Sequence, residues 1–255
     1  MLTPPPVDSL SSLAIWGLGL VFGLKHATEV DHIVAVSTIV SEHKSVWRSA
    51  FVGVLWGTGH TSSLVIVGGL VLALRVTIPA SVAGWLEFMV ALMIIVLGAT
   101  ALIRILRKRA DLHVHRHRHD GFSHAHIHFH EPGTEHTAGV PVHSHGVSSV
   151  GVKPLLVGAM HGLAGSAALT LLVLAQFKST ILGLLYLAVF GVGSIVGMLL
   201  MSGLIGLPFA LTSRRLSRLH NSLQTIAALL SVVFGLWYAY ETGIATRLLA
   251  TFLRL

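Results

Sequence analysis

The sequence predicts an all-α integral membrane protein: six transmembrane helices arranged as a 3+3 inverted repeat joined by a His-rich loop. Three observations carry this expectation. Of 255 residues, 53% are hydrophobic and only 11% charged, whereas soluble domains carry roughly a quarter charged residues. The mean hydropathy is +0.80, and the apolar residues gather in runs long enough for the roughly 20 residues that cross a hydrocarbon core of about 30 Å. The two halves of the chain also match each other at a nearly constant offset. The composition is too apolar for disorder, and the runs lack the two-residue alternation of a membrane β-barrel.

The first run, 11–41, exceeds the length of one span. Either part of 9–18 lies at the interface, or the helix is broken near Gly17, Gly19 and Gly23. The first true span is then nearer 19–41. Runs at 50–74 and 82–106 complete a first unit, 1–106. Residues 107–149 are rich in histidine and contain Pro132, Gly133 and Pro141, which reads as a flexible loop. Runs at 152–176, 180–207 and 221–240 make the second unit, 150–255.

The internal match is ordered along the chain. Gly23-Leu24-Lys25-His26 pairs with Gly158-Ala159-Met160-His161, at an offset of 135. Trp56-Gly57-Thr58-Gly59-His60 pairs with Phe190-Gly191-Val192-Gly193-Ser194, at 134, and Leu86-Glu87 and Gly98 pair with Leu223-Gln224 and Gly235, at 137. Three spans per copy is an odd number, so the second copy enters the bilayer from the opposite side. Inverted repeats of this kind are built into secondary transporters, with the site near the midplane.

Charge sets the orientation. One side receives Lys25, Lys44, Arg48, Arg104, Arg107, Lys108, Arg109, Arg116, Arg118, Lys153, Arg214, Arg215 and Arg218; the other holds Arg75, Lys178, Arg247 and Arg254. The positive-inside rule places the richer side in the cytoplasm. The expected location is the cell inner (cytoplasmic) membrane, with both termini outside and the His-rich loop cytoplasmic. The opening Met-Leu-Thr-Pro-Pro-Pro has no positive n-region, so a cleaved signal peptide is not expected. The net charge of +7 belongs to these short connections and does not imply nucleic acid. With no cysteine, disulfides, thiolate metal sites and thiol catalysis are excluded.

Ionisable residues inside the spans mark the candidate site, because charge in the bilayer costs about 2.5–3.5 kcal/mol even on the lenient insertion scale. The segment Lys25-His26-Ala27-Thr28-Glu29-Val30-Asp31-His32 holds two histidines and two carboxylates within an apolar run. On a continuous helix, His26, Glu29 and His32 share a face and Asp31 points away, so the helix is unwound here or Asp31 has another partner. His60 follows between Gly59 and Thr61 in the second span. Glu87, His161 and Ser194 are candidates to support these ligands or to form a gate. Imidazole with carboxylate suits Ni²⁺, Co²⁺ and Zn²⁺, while Mg²⁺ and Ca²⁺ prefer oxygen. A hydrolytic zinc site would use the same residue types, but there is no His-Glu-x-x-His. In the loop, His113, His115, His117 and His119 alternate, as do His124, His126, His128 and His130. Many flexible imidazoles would gather such ions by multivalency; the plainer alternative is a solvated linker.

The segment His26-x4-Asp31-His32 resembles the signature of the nickel/cobalt transporter family. Gly59-His60-Thr61 resembles that family's second motif, and Gly23 to about Leu64 looks closest to its urease-accessory nickel permease branch. The resemblance implies that His26, Asp31, His32 and His60 are transport-essential, with Glu29 at the family's other acidic position. There are departures. Longer members carry Leu-Gly-x-Asp-Thr-Ala-Thr-Glu where this chain has Met160-His161-Gly162-Leu163-Ala164-Gly165-Ser166, and a later Gly-Met-x-x-x-Asp survives only as Gly197-Met198. Related exporters usually carry Gly where Asp31 stands, so Asp31 favours uptake.

The expected function is therefore secondary transport of Ni²⁺, with Co²⁺ as a further cargo, and no enzymatic activity or bound cofactor. The expected partners are the divalent ion, the lipid bilayer, and cytoplasmic nickel chaperones or urease and hydrogenase maturation proteins. Competing readings are Ni²⁺/Co²⁺ efflux by proton exchange, a membrane-embedded metalloenzyme, and a metal sensor or chaperone.

Overall fold

The computed structural model describes residues 12–110, 112–119, 122–129, 152–165, 179–213 and 216–245. In chain order these form α1 (Ser12–His26), α2 (Val30–Val40), α3 (Val46–Leu74), α4 (Ala80–Ala110), β1 (Leu112–His119), β2 (Phe122–Phe129), α5 (152–165), α6 (Thr180–Thr212) and α7 (Ser217–Ala239), which continues as a π-helical turn, Tyr240–Ala245. Among the described residues, four helical stretches are long and apolar enough to cross a membrane: Val46–Leu74, Ala80–Arg107, Thr180–Thr212 and Ser217–Ile244. The 29 residues of α3 reach about 44 Å at 1.5 Å per residue, more than the hydrocarbon thickness. The outward faces are apolar too: Ile66, Leu70, Val96, Ile103, Leu200, Leu204, Val233 and Leu236 are all exposed. Lipid tolerates that surface, and it requires the helical backbone that satisfies its own polar groups.

Both α1 and α3 pack along α6, and α4 packs along α7. The short α2 sits centrally, touching α3, α4, α6 and α7. One core cluster joins Ala35, Val36 and Val40 of α2 to Val52, Trp56, Ile94, Met198 and Ala227; a second joins Leu64 and Leu72 to Tyr186, Leu187 and Phe190. Polar side chains bridge α2 to α7: the hydroxyls of Thr38 and Ser231 hydrogen-bond each other, and Ser231 Oγ also donates to the Val34 carbonyl.

The helices touch through glycines whose contacts come in exchanged pairs. A Cβ on Gly23 would overlap the Phe190 carbonyl, and one on Gly193 the Leu20 carbonyl. In the other half, a Cβ on Gly158 would overlap the Trp56 carbonyl, and one on Gly59 the Leu155 carbonyl. At offsets of 135 for α1 and α5 and 134 for α3 and α6, Gly23 matches Gly158, Leu20 matches Leu155, Trp56 matches Phe190 and Gly59 matches Gly193. The α1–α6 contact is thus the α5–α3 contact with the halves exchanged. At offset 137 the same holds within α4–α7, where Gly98 meets the Ala228 carbonyl and Gly235 the Ala91 carbonyl.

The first apolar run is broken, though not near Gly17, Gly19 and Gly23. The break falls at 27–29, between α1 and α2. Thr28 uses both its N–H and its hydroxyl on the Lys25 carbonyl, at 2.9 and 2.6 Å, and the Glu29 N–H bonds the His26 carbonyl at 3.1 Å. These local bonds close a tight turn where the α-helical ladder ends. Gly23 serves the approach to α6, while Gly17 faces open space.

Part of the connection expected as a flexible loop, 107–149, is described. Over 112–129 the chain pairs as an antiparallel hairpin, with His113 opposite His128, His115 opposite His126 and His117 opposite His124. Histidine at every second residue has the period of a strand, and Asp120-Gly121, between the strands in sequence, is a dipeptide favoured in tight hairpins. His130 and 166–178 lie outside the described residues.

Candidate metal centre

The break brings two helix ends to one place. His26 closes α1, Glu29 lies in the extended turn, and Asp31 and His32 occupy the first turn of α2. His60 projects from the middle of α3 and His161 comes from α5. His32, His60 and His161 are 2%, 0% and 3% exposed, so three imidazoles are sequestered inside the helix bundle.

Two carboxylates orient the rings. Asp31 Oδ1 accepts from the His32 backbone N–H at 2.9 Å and from His32 Nδ1 at 3.1 Å. Its other oxygen, Oδ2, meets His161 Nε2 at 2.9 Å. Glu29 Oε1 lies 2.9 Å from His26 Nδ1, which leaves His26 Nε2 facing His60 Nε2 at 3.0 Å. A carboxylate on one imidazole nitrogen fixes the tautomer and raises the basicity of the other. His32 Nε2, His60 Nδ1 and His161 Nδ1 are buried without a hydrogen-bond partner, a costly arrangement for polar groups. Aromatic walls hold the rings: Trp56 lies 6.2 Å from His32 and 5.5 Å from His161 between ring centroids, and Phe190 lies 5.5 Å from His26.

Ligand atoms from His26, His32 and His60 lie within 4.8 Å of one another, and so do those from Asp31, His32 and His161. A cavity of about 250 Å³ opens onto this cluster, lined among others by His26, Glu29, Asp31, His32, Glu87, His161 and Tyr238. Three carboxylates on one small cavity favour a cation. The arrangement has nitrogen donors, a half-buried carboxylate and an access route.

One relative decides the family. Urease accessory protein UreH of Bacillus sp. (strain TB-90) is 38% identical over 249 residues, spanning 97% of this chain and 100% of that protein. The chain belongs to the UreH family. A second similarity is to Chloroplast protein FOR GROWTH AND FERTILITY 1 of Arabidopsis thaliana, 25% identical over 244 residues, covering 92% of this chain and 63% of that protein. No family model matches the chain and no solved structure matches it.

In this UreH-family chain, His26, Asp31, His32, His60 and His161 gather into one cluster, with Glu29 on its rim against His26. Glu87 reaches the same cavity from α4. Ser194, the repeat counterpart of His60, is fully buried on α6 with no hydrogen-bond partner for its hydroxyl. Met198 packs in the apolar core. Sequence reasoning passed over Trp56 as a wall and Tyr238 as a lining residue. A tyrosine near the end of the last apolar run was the available signal for Tyr238.

Proposed function

We propose that this UreH-family chain is a secondary transporter that carries Ni²⁺, with Co²⁺ as a second cargo, across the cytoplasmic membrane and into the cell. The observation that carries this reading is the convergence of His26, His32 and His60 with Asp31 inside a bundle of bilayer-length helices. An unpaired charge there would be costly, and a divalent ion replaces that cost with bonds to nitrogen and oxygen. His26 Nε2 and His60 Nε2 hydrogen-bond each other at 3.0 Å, so two nitrogen donors already stand about as far apart as ligands bound at about 2.1 Å and set at a right angle, and an ion would take the place of the proton between them. A nitrogen-rich set without thiolate favours borderline divalent ions over Mg²⁺, Ca²⁺ or Cu⁺.

The broken α1–α2 span and the exchanged glycine contacts support an inverted 3+3 repeat working by alternating access. Metal would enter the cavity past Glu29 and Glu87, exchange water for His26, Asp31, His32 and His60, and leave when the repeats rock. The membrane potential suffices as the driving force: about 2.3 kcal/mol per charge per 100 mV gives roughly 4.6 kcal/mol for a divalent ion. The histidines of β1 and β2 would gather the delivered ion on the cytoplasmic side. A urease accessory relative fits hand-over to nickel chaperones or to urease maturation proteins.

The test is Ni²⁺ and Co²⁺ flux into proteoliposomes of the purified full chain, beside His26→Ala and Asp31→Ala. Flux in the parent and loss in both variants is expected; normal flux in both variants would sink the site. Cellular nickel content on expression reads the direction, rising for uptake and falling for export.

A further inference from the structure

His161 belongs to the second half of the chain and to neither motif of the first half, yet it is buried against Asp31 with one ring nitrogen unpartnered. The cluster divides into two ligand sets that share His32. His32 Nδ1 faces Asp31, while its Nε2 is buried without a hydrogen-bond partner and so can serve as a ligand beside His26 and His60. Asp31, His32 and His161 all line the cavity; of the other set His26 lines it too, and only His60, fully buried, stands behind it.

Resting on the transport reading, we propose that a divalent first-row cation is held at two successive positions that share His32: an outer one of Asp31, His32 and His161, and an inner one of His26, His32 and His60. The outer position carries a carboxylate and therefore attracts a hydrated cation from the cavity. The inner position has imidazole alone and therefore discriminates against ions that prefer oxygen. Because both need His32, a single ion occupies them in turn, passing from one ring nitrogen to the other. The outer position ties α2 of the first half to α5 of the second; the inner one uses α1, α2 and α3 only. Hand-over thus breaks a metal link between the two halves and frees them to move.

The test uses the full chain with the hairpin and loop histidines replaced by asparagine, so that only the intramembrane ion is counted. Ni²⁺ binding is measured by equilibrium dialysis on parent, His60→Gln, His161→Gln, the double variant and His32→Gln, each checked for monodispersity. The parent should bind one ion. His60→Gln and His161→Gln should each retain one with affinity reduced about tenfold, the usual scale for disturbing a metal site, while the double variant and His32→Gln bind none. Glutamine at 161 keeps a donor for Asp31, so a merely structural role of His161 would leave binding and flux unchanged. His161→Asn serves if the glutamine variant aggregates. In proteoliposomes, His161→Gln should raise the half-saturating Ni²⁺ concentration about tenfold with Mg²⁺ still excluded, and His60→Gln should admit competition by Mg²⁺. Complete loss of binding in His60→Gln alone, or wild-type flux in His161→Gln, overturns the two-position scheme. A parent that binds as described but moves no Ni²⁺ overturns the transport reading instead.

Discussion

At the scale of single residues, the site depends on which nitrogen each histidine presents. Glu29 and Asp31 decide this for His26 and His32, and they do so from different surroundings. Asp31 is one-fifth exposed and uses both oxygens on histidines, whereas Glu29 is 55% exposed and touches one. Asp31→Asn replaces an acceptor of two imidazole protons by an amide, and it removes charge from the proposed path of the ion. We expect it to lower Ni²⁺ flux at least about tenfold, and Glu29→Gln by less. Equal losses would show that Glu29 does more than hold His26. The motif residues were legible because charge and histidine stand out against an apolar run. The role of Asp31 was half legible: a straight helix aims it away from His26, and it does turn to another partner, His161. That partner could not be read from spacing, since it lies 130 residues away and only the packing of α5 against α3 brings it near.

At the scale of elements, glycine placement separates packing from flexibility. Gly59 and Gly158 hold α3 and α5 backbone to backbone, while Gly17 meets nothing. Gly59→Ala should destabilise the purified protein by about 1–3 kcal/mol, as overpacking does, and Gly17→Ala should be neutral or stabilise by up to about 1 kcal/mol. Thermal unfolding in detergent reads both, and equal effects would contradict the packing described. A glycine alone does not say which task it performs, so the break expected near Gly17, Gly19 and Gly23 does not occur there; it falls inside the segment 25–32, where the placement of Asp31 already raises unwinding. The local bonds of Thr28 and Glu29 make that break. The hairpin was similarly hidden, because its composition suggests a solvated loop while its period suggests strands. Deleting 112–129 should leave Ni²⁺ flux in proteoliposomes within about threefold of the parent while lowering the number of ions bound, since multivalent gathering adds affinity rather than a path. Loss of flux would place the hairpin in the pathway.

At the scale of the whole molecule, the orientation rests on the distribution of basic residues, and it has a direct test. The chain has no cysteine, so a single Ser45→Cys, before α3, can be labelled without interference. A membrane-impermeant maleimide should reach it in intact cells only after the membrane is opened, and a Pro79→Cys beside α4 should be reached from outside. The reverse pattern would invert the assigned sides. The matched segments were legible in the sequence; that their glycines trade places across the interface was not, because a contact involves two positions and the alignment of halves compares one at a time. This exchange also bears on energetics. On the proposed transport reading, if each half can adopt the pose of the other, inward- and outward-facing forms would draw on the same inventory of backbone contacts and lie nearly level in free energy. The scaffold then works as a balanced beam. What tips it must be found where the halves differ, and at the matched positions these differences include His60 against Ser194, Trp56 against Phe190 and Glu87 against Gln224.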